Sequence, residues 1–268
     1  MPNDSMERAR LTVERARELG RADVEQRVGG SATRAAVMRT MALQGRTGFR
    51  RFLFENGLVL AVLSLFLLAF GGQVVTGQRL YNARQRDRVQ PAVGLAGYLR
   101  TGTFVEATAE NWESEFLQMA VFVVLSVFLY QRGSAESKTI EQPDPVDQPP
   151  EEARDDPDAP GPVRRGGFSL MLYKHSLSLS LFGLFLIAFL LHAAGGAKAY
   201  NEQREQHGPG PVSMLAYVAT SQFWFESFQN WQSEFFSVAL LVLMSIWLRQ
   251  QGSAQSKPVA ASARDTGE

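Results

Sequence analysis

Cysteine is absent from this chain of 268 residues, which excludes disulfides, thiolate nucleophiles and cysteine-held metals. Lysine is scarce, occurring at Lys138, Lys174, Lys198 and Lys257. Histidine is scarcer still, at His175, His192 and His207. Net charge is lacking too: 27 basic residues balance 27 acidic ones, so no global field draws the chain to nucleic acid. No Walker or dinucleotide fingerprint is present. No signal-peptide pattern opens the sequence, because the first apolar block follows about fifty polar residues; that block reads as a signal anchor and first span.

What is present is an internal repeat, the feature to be sought before any other. Asn111-Trp-Glu-Ser-Glu-Phe116 returns as Asn230-Trp-Gln-Ser-Glu-Phe235, and Gln131-Arg-Gly-Ser-Ala-Glu-Ser-Lys138 returns as Gln250-Gln-Gly-Ser-Ala-Gln-Ser-Lys257. Tyr81-Asn82 returns as Tyr200-Asn201. One displacement of 119 residues superposes the halves without a gap, with roughly a third of positions identical. The charged residues, 20% of the chain, sit in tails, linker and loops, and the apolar residues gather in four blocks.

These patterns predict an all-α integral membrane protein of four helices, built from two tandem two-helix repeats. Residues 1–48 read as a polar, arginine-rich N-terminal tail and 49–138 as the first membrane repeat, with spans at about 56–75 and 111–131. Residues 139–165 read as an acidic, proline-rich disordered linker. Residues 166–257 form the second repeat, with spans at about 175–194 and 230–249, and 258–268 a polar C-terminal tail. About 20 residues rising about 1.5 Å each cross an apolar core of about 30 Å. The second block of each repeat is short, so its helix is expected to draw the Asn-Trp phrase toward the membrane. Gly71-Gly72 and Gly195-Gly196 are read as helix ends.

Orientation follows from basic residues near the spans. Arg46, Arg50, Arg51, Arg132, Lys138, Arg164, Arg165, Lys174, Arg249 and Lys257 lie on one side. Arg79, Arg84, Arg86, Arg88, Arg100, Lys198 and Arg204 lie on the other. The balance puts both termini and the linker in the cytoplasm and the Tyr-Asn loops outside, in a cell inner membrane. The units then point the same way, as a parallel repeat.

Polar residues fall in a line at the start of the second and fourth spans. Thr108, Asn111, Glu115 and Gln118 share one helical face, as do Ser227, Asn230, Glu234 and Ser237. A carboxylate below the headgroups costs at least about 2–3 kcal/mol, so it is expected to face helices or water. Three readings stand: the glutamates fix packing through Asn111, Asn230, Tyr81 or Tyr200; Glu115 and Glu234 line a small pore or ion path; or paired carboxylates do acid–base or metal chemistry. No Glu-x-x-His pair accompanies them, so no metal and no cofactor is assigned. Tyr81, Asn82, Tyr200 and Asn201 are loop candidates, and Trp112 and Trp231 are interfacial anchors. His192, at the expected outer end of the third span, is read as a solvated or interfacial imidazole. The expected activity is non-enzymatic, acting through helix packing or partner binding. Its partners are the lipid bilayer and itself or another membrane protein, with no nucleic acid.

The Asn-Trp-(Glu/Gln)-Ser-Glu-Phe phrase and the Gly-Ser-Ala-(Glu/Gln)-Ser-Lys exit phrase resemble those of a bacterial membrane family catalogued only as a domain of unknown function. The resemblance covers about Arg51 to Lys257. It implies a four-span integral protein and carries no activity, substrate or catalytic residue.

Overall fold

The computed structural model describes residues 47–140, 143–205 and 210–267. The N-terminal arm through residue 46 and His207 lie outside the described residues. The fold is all-α, with no strand among the described residues. In chain order the helices are α1 (Gly48–Glu55), α2 (Gly57–Asp87), α3 (Leu95–Tyr98) and α4 (Gly102–Phe128), then α5 (Gly161–Arg165), α6 (Gly167–Lys174), α7 (Ser176–Arg204), α8 (Met214–Val218) and α9 (Ser221–Trp247). Two of them, α2 with 31 residues and α7 with 29, are long and apolar enough to cross a membrane, with peak mean hydropathies of 2.4 and 2.2.

The chain divides into two compact units at Gln73–Val74. In the first, α1 breaks at Asn56, whose φ of −113° and ψ of 13° leave the helical region. The start of α2 then presents Leu58, Leu65, Leu67 and Leu68 outward, with Phe66 stacked on Phe70 at 5.6 Å.

In the second unit, helix starts follow side-chain caps. The Thr101 hydroxyl accepts from Phe104 N at the head of α4, and Thr220 accepts from Phe223 N at the head of α9, both at 3.3 Å. These helices begin nine residues before the spans expected at 111 and 230, at Gly102 and Ser221. Glycines do not end helices here: α2 runs through Gly71-Gly72 and α7 through Gly195-Gly196. The reason at Gly195 and Gly102 is close packing of α4 on α7. A Cβ on Gly195 would lie 2.6 Å from Glu106 N, and one on Gly102 would lie 2.5 Å from Ala199 N. Only glycine lets two backbones approach so closely.

The turn after each long helix is clamped by asparagine. Asn82 Nδ2 donates to Val93 O at 3.0 Å and its Oδ1 accepts from Val93 N at 2.8 Å. Asn201 holds Val212 the same way, at 2.9 and 2.8 Å. Both clamps bring a tyrosine onto a helical glycine: a Cβ on Gly77 would meet Tyr98, and one on Gly196 would meet Tyr217. The core of this unit is Ala193, Ala197, Tyr217 and Phe223, with Phe189 and Tyr200 against it.

The acidic segment carries two short 3-10 turns, Pro145–Asp147 and Pro150–Ala153. Ion pairs Lys138–Asp147 at 2.7 Å and Lys174–Glu151 at 2.6 Å hold it to its flanks. The C-terminal tail is tied down by a buried lysine: Lys257 Nζ donates to the carbonyls of Gly133, Ser262 and Asp265.

Candidate functional site

A buried imidazole organises the polar centre of the second unit. His192 sits on α7 with 0% exposure, its ring stacked on Phe223 at 4.7 Å between centroids. Burial overturns the solvated or interfacial reading of His192. Its Nδ1 lies 2.7 Å from Glu113 Oε2 on α4, and Glu113 is also fully buried. The other Glu113 oxygen accepts the indole N–H of Trp231 from α9 at 3.1 Å. Three helices therefore meet at one carboxylate.

The second imidazole nitrogen faces α9. His192 Nε2 is 3.5 Å from Glu226 Oε2 and has no hydrogen-bond partner. Glu226 is held by the Tyr217 hydroxyl at 2.6 Å on Oε2 and by Gln222 Nε2 at 2.9 Å on Oε1. Glu106 Oε1 lies 3.2 Å from the same Tyr217 hydroxyl. One hydroxyl carries one proton, so the two carboxylates compete for the Tyr217 donor and Glu226, at the shorter distance, holds it more closely. Glu106 lies ahead of the apolar part of α4. Burial first, and then the Glu226 charge, push its carboxyl up to about 7. For Glu226, burial opposes ionisation, and contacts with His192, Tyr217 and Gln222 outweigh it, holding the carboxyl below the usual range. Burial and the two carboxylates push the Tyr217 hydroxyl well above the usual phenol range.

Glu110, one turn from Glu113 and Glu106 on α4, completes the group. Among the described residues no hydrogen bond engages its half-buried carboxylate. One ligand atom each from Glu110, His192 and Glu226 lie within 4.8 Å of one another. Chemically the centre can hold a proton or a cation among oriented carboxylates.

The sequence-predicted stripe lies elsewhere. Asn111 and Glu115 are exposed, with Asn111 Nδ2 turned back to Ala107 O at 2.7 Å. Asn230 and Glu234 are half-buried, and Asn230 Nδ2 donates to Glu226 O at 3.2 Å. Ser237 is exposed and donates to Glu234 O. Thr108, Gln118 and Ser227 are buried, and Ser227 Oγ has no partner. Tyr81, Asn82, Tyr200 and Asn201 lie in helices rather than loops. Trp112 is 37% exposed, whereas Trp231 is drawn in by Glu113.

The physical reason is the face that α4 turns inward. It runs through Gly102, Ala109, Glu113 and Ala120, and Glu113 is two positions, about 200°, from both Asn111 and Glu115. Small residues mark that face, so a count of large apolar side chains misses it. A signal was nonetheless present. At the displacement of 119, His192, Glu106, Glu110, Glu113 and Glu226 stand opposite Gln73, Phe225, Gln229, Gln232 and Ala107. Every charged or imidazole member of the centre is a position where the halves differ.

No curated protein and no solved structure matches the chain. Residues 49–268 match the family model described as "Domain of unknown function (DUF6766)", and the chain belongs to that family.

Proposed function

We propose that this is a non-enzymatic, multi-pass inner-membrane protein of four spans, made of two tandem two-helix units, whose His192 centre holds a cation. The observation that carries the reading is charge balance. Glu106, Glu110, Glu113 and Glu226 surround one imidazole, and among the described residues no lysine or arginine ion-pairs with any of them. Even with a proton on Glu106 and an imidazolium at His192, three carboxylates face one positive charge. Buried anions are costly unless paired, and a cation from solution supplies the missing charge.

The four-span part draws support from length and surface. Helices α4 and α9 have 27 residues each, about 40 Å at about 1.5 Å per residue. Their C-terminal halves present Val127, Phe128, Leu240 and Leu243 outward, an apolar surface suited to lipid. Conduction is the second reading, and the cavity between α4 and α9 weighs against it. That cavity of about 330 Å³ is walled by Val121, Phe122, Val238, Val242 and Leu243, with Gln118 and Gln131 as its polar liners. Such walls offer a passing cation few ligands, so holding is better supported than passage.

Thermal unfolding of the tag-free protein in detergent, stripped by chelator, tests the reading. Sodium, potassium, magnesium, calcium, manganese and zinc salts are added in turn. A ligand of the folded state at 100 times its Kd adds about 2.7 kcal/mol. At least one cation is expected to raise the wild-type midpoint by several degrees while leaving Glu110→Gln unmoved. A midpoint indifferent to every cation would discard the reading.

A further inference from the structure

The His192 centre contains a buried imidazole nitrogen without a hydrogen-bond partner. Nδ1 is engaged by Glu113 at 2.7 Å; in the neutral tautomer with its proton on that side, the Nε2 lone pair is available to a ligand. Nε2 is fully buried, without a hydrogen-bond partner, and turned toward Glu226. A buried polar atom left unbonded is destabilising, and native proteins rarely tolerate one without a purpose.

We propose that the cation is a divalent transition metal of the zinc class, bound one per chain by the Glu110 carboxylate, His192 Nε2 and a Glu226 carboxylate oxygen. This rests on the cation-holding reading and names its occupant. The donor set decides the class: imidazole suits zinc and its first-row neighbours, whereas sodium, magnesium and calcium take oxygen ligands. Two carboxylates and a neutral imidazole carry the charge that a divalent ion cancels. Glu113 acts as the positioning residue, because a metal-binding histidine characteristically gives its other N–H to a carboxylate that fixes ring and tautomer. Trp231 in turn fixes Glu113, and Tyr217 and Gln222 fix Glu226.

The geometry requires little movement. Tetrahedral zinc with bonds of about 2.0–2.1 Å places its ligand atoms about 3.3 Å apart. Nε2 and Glu226 Oε2 stand at 3.5 Å, and all three donors lie within 4.8 Å. Glu110, with no hydrogen bond to break among the described residues, can swing in to close the remaining gap. Three protein donors leave a fourth position for water. The stoichiometry follows from the sequence, since the equivalents of the three ligands are Gln229, Gln73 and Ala107, which form no second site of this kind.

Equilibrium dialysis of the tag-free, full-length, chelator-stripped protein against Zn²⁺, with the visible spectrum of the Co²⁺ form, tests the assignment. One equivalent per chain is expected, with the d–d bands of low-coordinate cobalt. Glu110→Gln and Glu226→Gln should each weaken binding at least tenfold, and Glu113→Gln should weaken it by about 10–100-fold. Glu110→Gln breaks no hydrogen bond among the described residues, and unchanged helical circular dichroism checks that it folds. Failure of the folded wild type to bind either metal overturns the assignment, as does binding that Glu110→Gln leaves unchanged. If sodium, magnesium or calcium stabilises the protein through Glu110 and zinc and cobalt do not bind, this inference falls and the cation-holding reading survives. If no cation acts, both fall.

Discussion

Lys257 shows what one residue does where the chain ends. It is 1% exposed, and its three ammonium protons are spent on three backbone carbonyls: Gly133, Ser262 at 3.2 Å and Asp265 at 2.8 Å. Burial first, and Arg249 second, draw its pKa below the usual lysine range. The tail closes over it, with Thr266 Oγ1 accepting from Gly133 N and Gly267 N donating to Ser134 O. Lys257→Met keeps the length and removes the donors. At about 1–3 kcal/mol per unsatisfied buried group, the variant should lose about 2–4 kcal/mol. Trypsin should then cut at Arg264, which the anchored tail otherwise protects. Its counterpart Lys138 pairs with exposed Asp147, and exposed pairs contribute about 0–1 kcal/mol. Lys138→Met should therefore leave both melting and tail protection nearly as they were.

At the scale of elements, the contact of α4 with α7 sets the geometry of the centre, because it lays Glu106, Glu110 and Glu113 beside His192. Gly195 and Gly102 make that contact possible. A side chain at Gly195 meets backbone at 2.6 Å, which has no rotamer with which to yield. Gly183, on the same helix, has nothing within 4 Å of an added Cβ. Gly195→Val should part the helices and lower the melting midpoint by several degrees, up to about 12 °C, since overpacking costs about 1–3 kcal/mol and about 1 kcal/mol shifts a domain of this size by about 2–4 °C. Gly183→Val should leave the midpoint within about 2 °C. The reverse ordering would mean that α4 and α7 do not meet through Gly195. The asparagine clamps belong to this scale too. Each exchanges two hydrogen bonds with a valine backbone and so sets where the short helix, and Tyr98 or Tyr217 with it, comes to rest.

For the whole molecule, the proposed topology is tested by labelling the chain on either side of a membrane. From the count of basic residues, the linker is expected inside and the ends of α2 and α7 outside. Asp147 and Asp87 are both exposed, and the chain has no cysteine to interfere. Asp147→Cys and Asp87→Cys, made singly in cells, should react oppositely with an impermeant thiol reagent: Asp87→Cys labelled in intact cells, Asp147→Cys only after permeabilisation. Equal labelling would mean that α4, the helix between the two positions, does not cross, and labelling of Asp147→Cys from outside would invert the topology. The expected orientation places the His192 centre at the outer end, where a metal would come from outside the cytoplasm.

Apolar blocks, basic flanks and the displacement of 119 residues are properties of consecutive residues. The all-α character, the two long apolar helices and the family resemblance were therefore legible from the chain alone. Caps were legible in kind, since Thr101 and Thr220 are ordinary helix-starting residues, though only the fold showed that the helices begin there. The centre was not legible by periodicity, because the inward face of α4 is written in glycine and alanine, which weigh little on any hydrophobic scale. Glu113 and Glu115 are both glutamates two positions apart, and nothing local says which is buried. That choice belongs to α7: where its glycines admit the backbone of α4, His192 arrives opposite Glu113, and Trp231 and Glu226 close the group from α9. The sequence by itself determined the inventory of charges and the asymmetry between the halves. Only tertiary contact, by bringing residues 79 and 116 positions apart within reach of one another, decided which of those charges share one site.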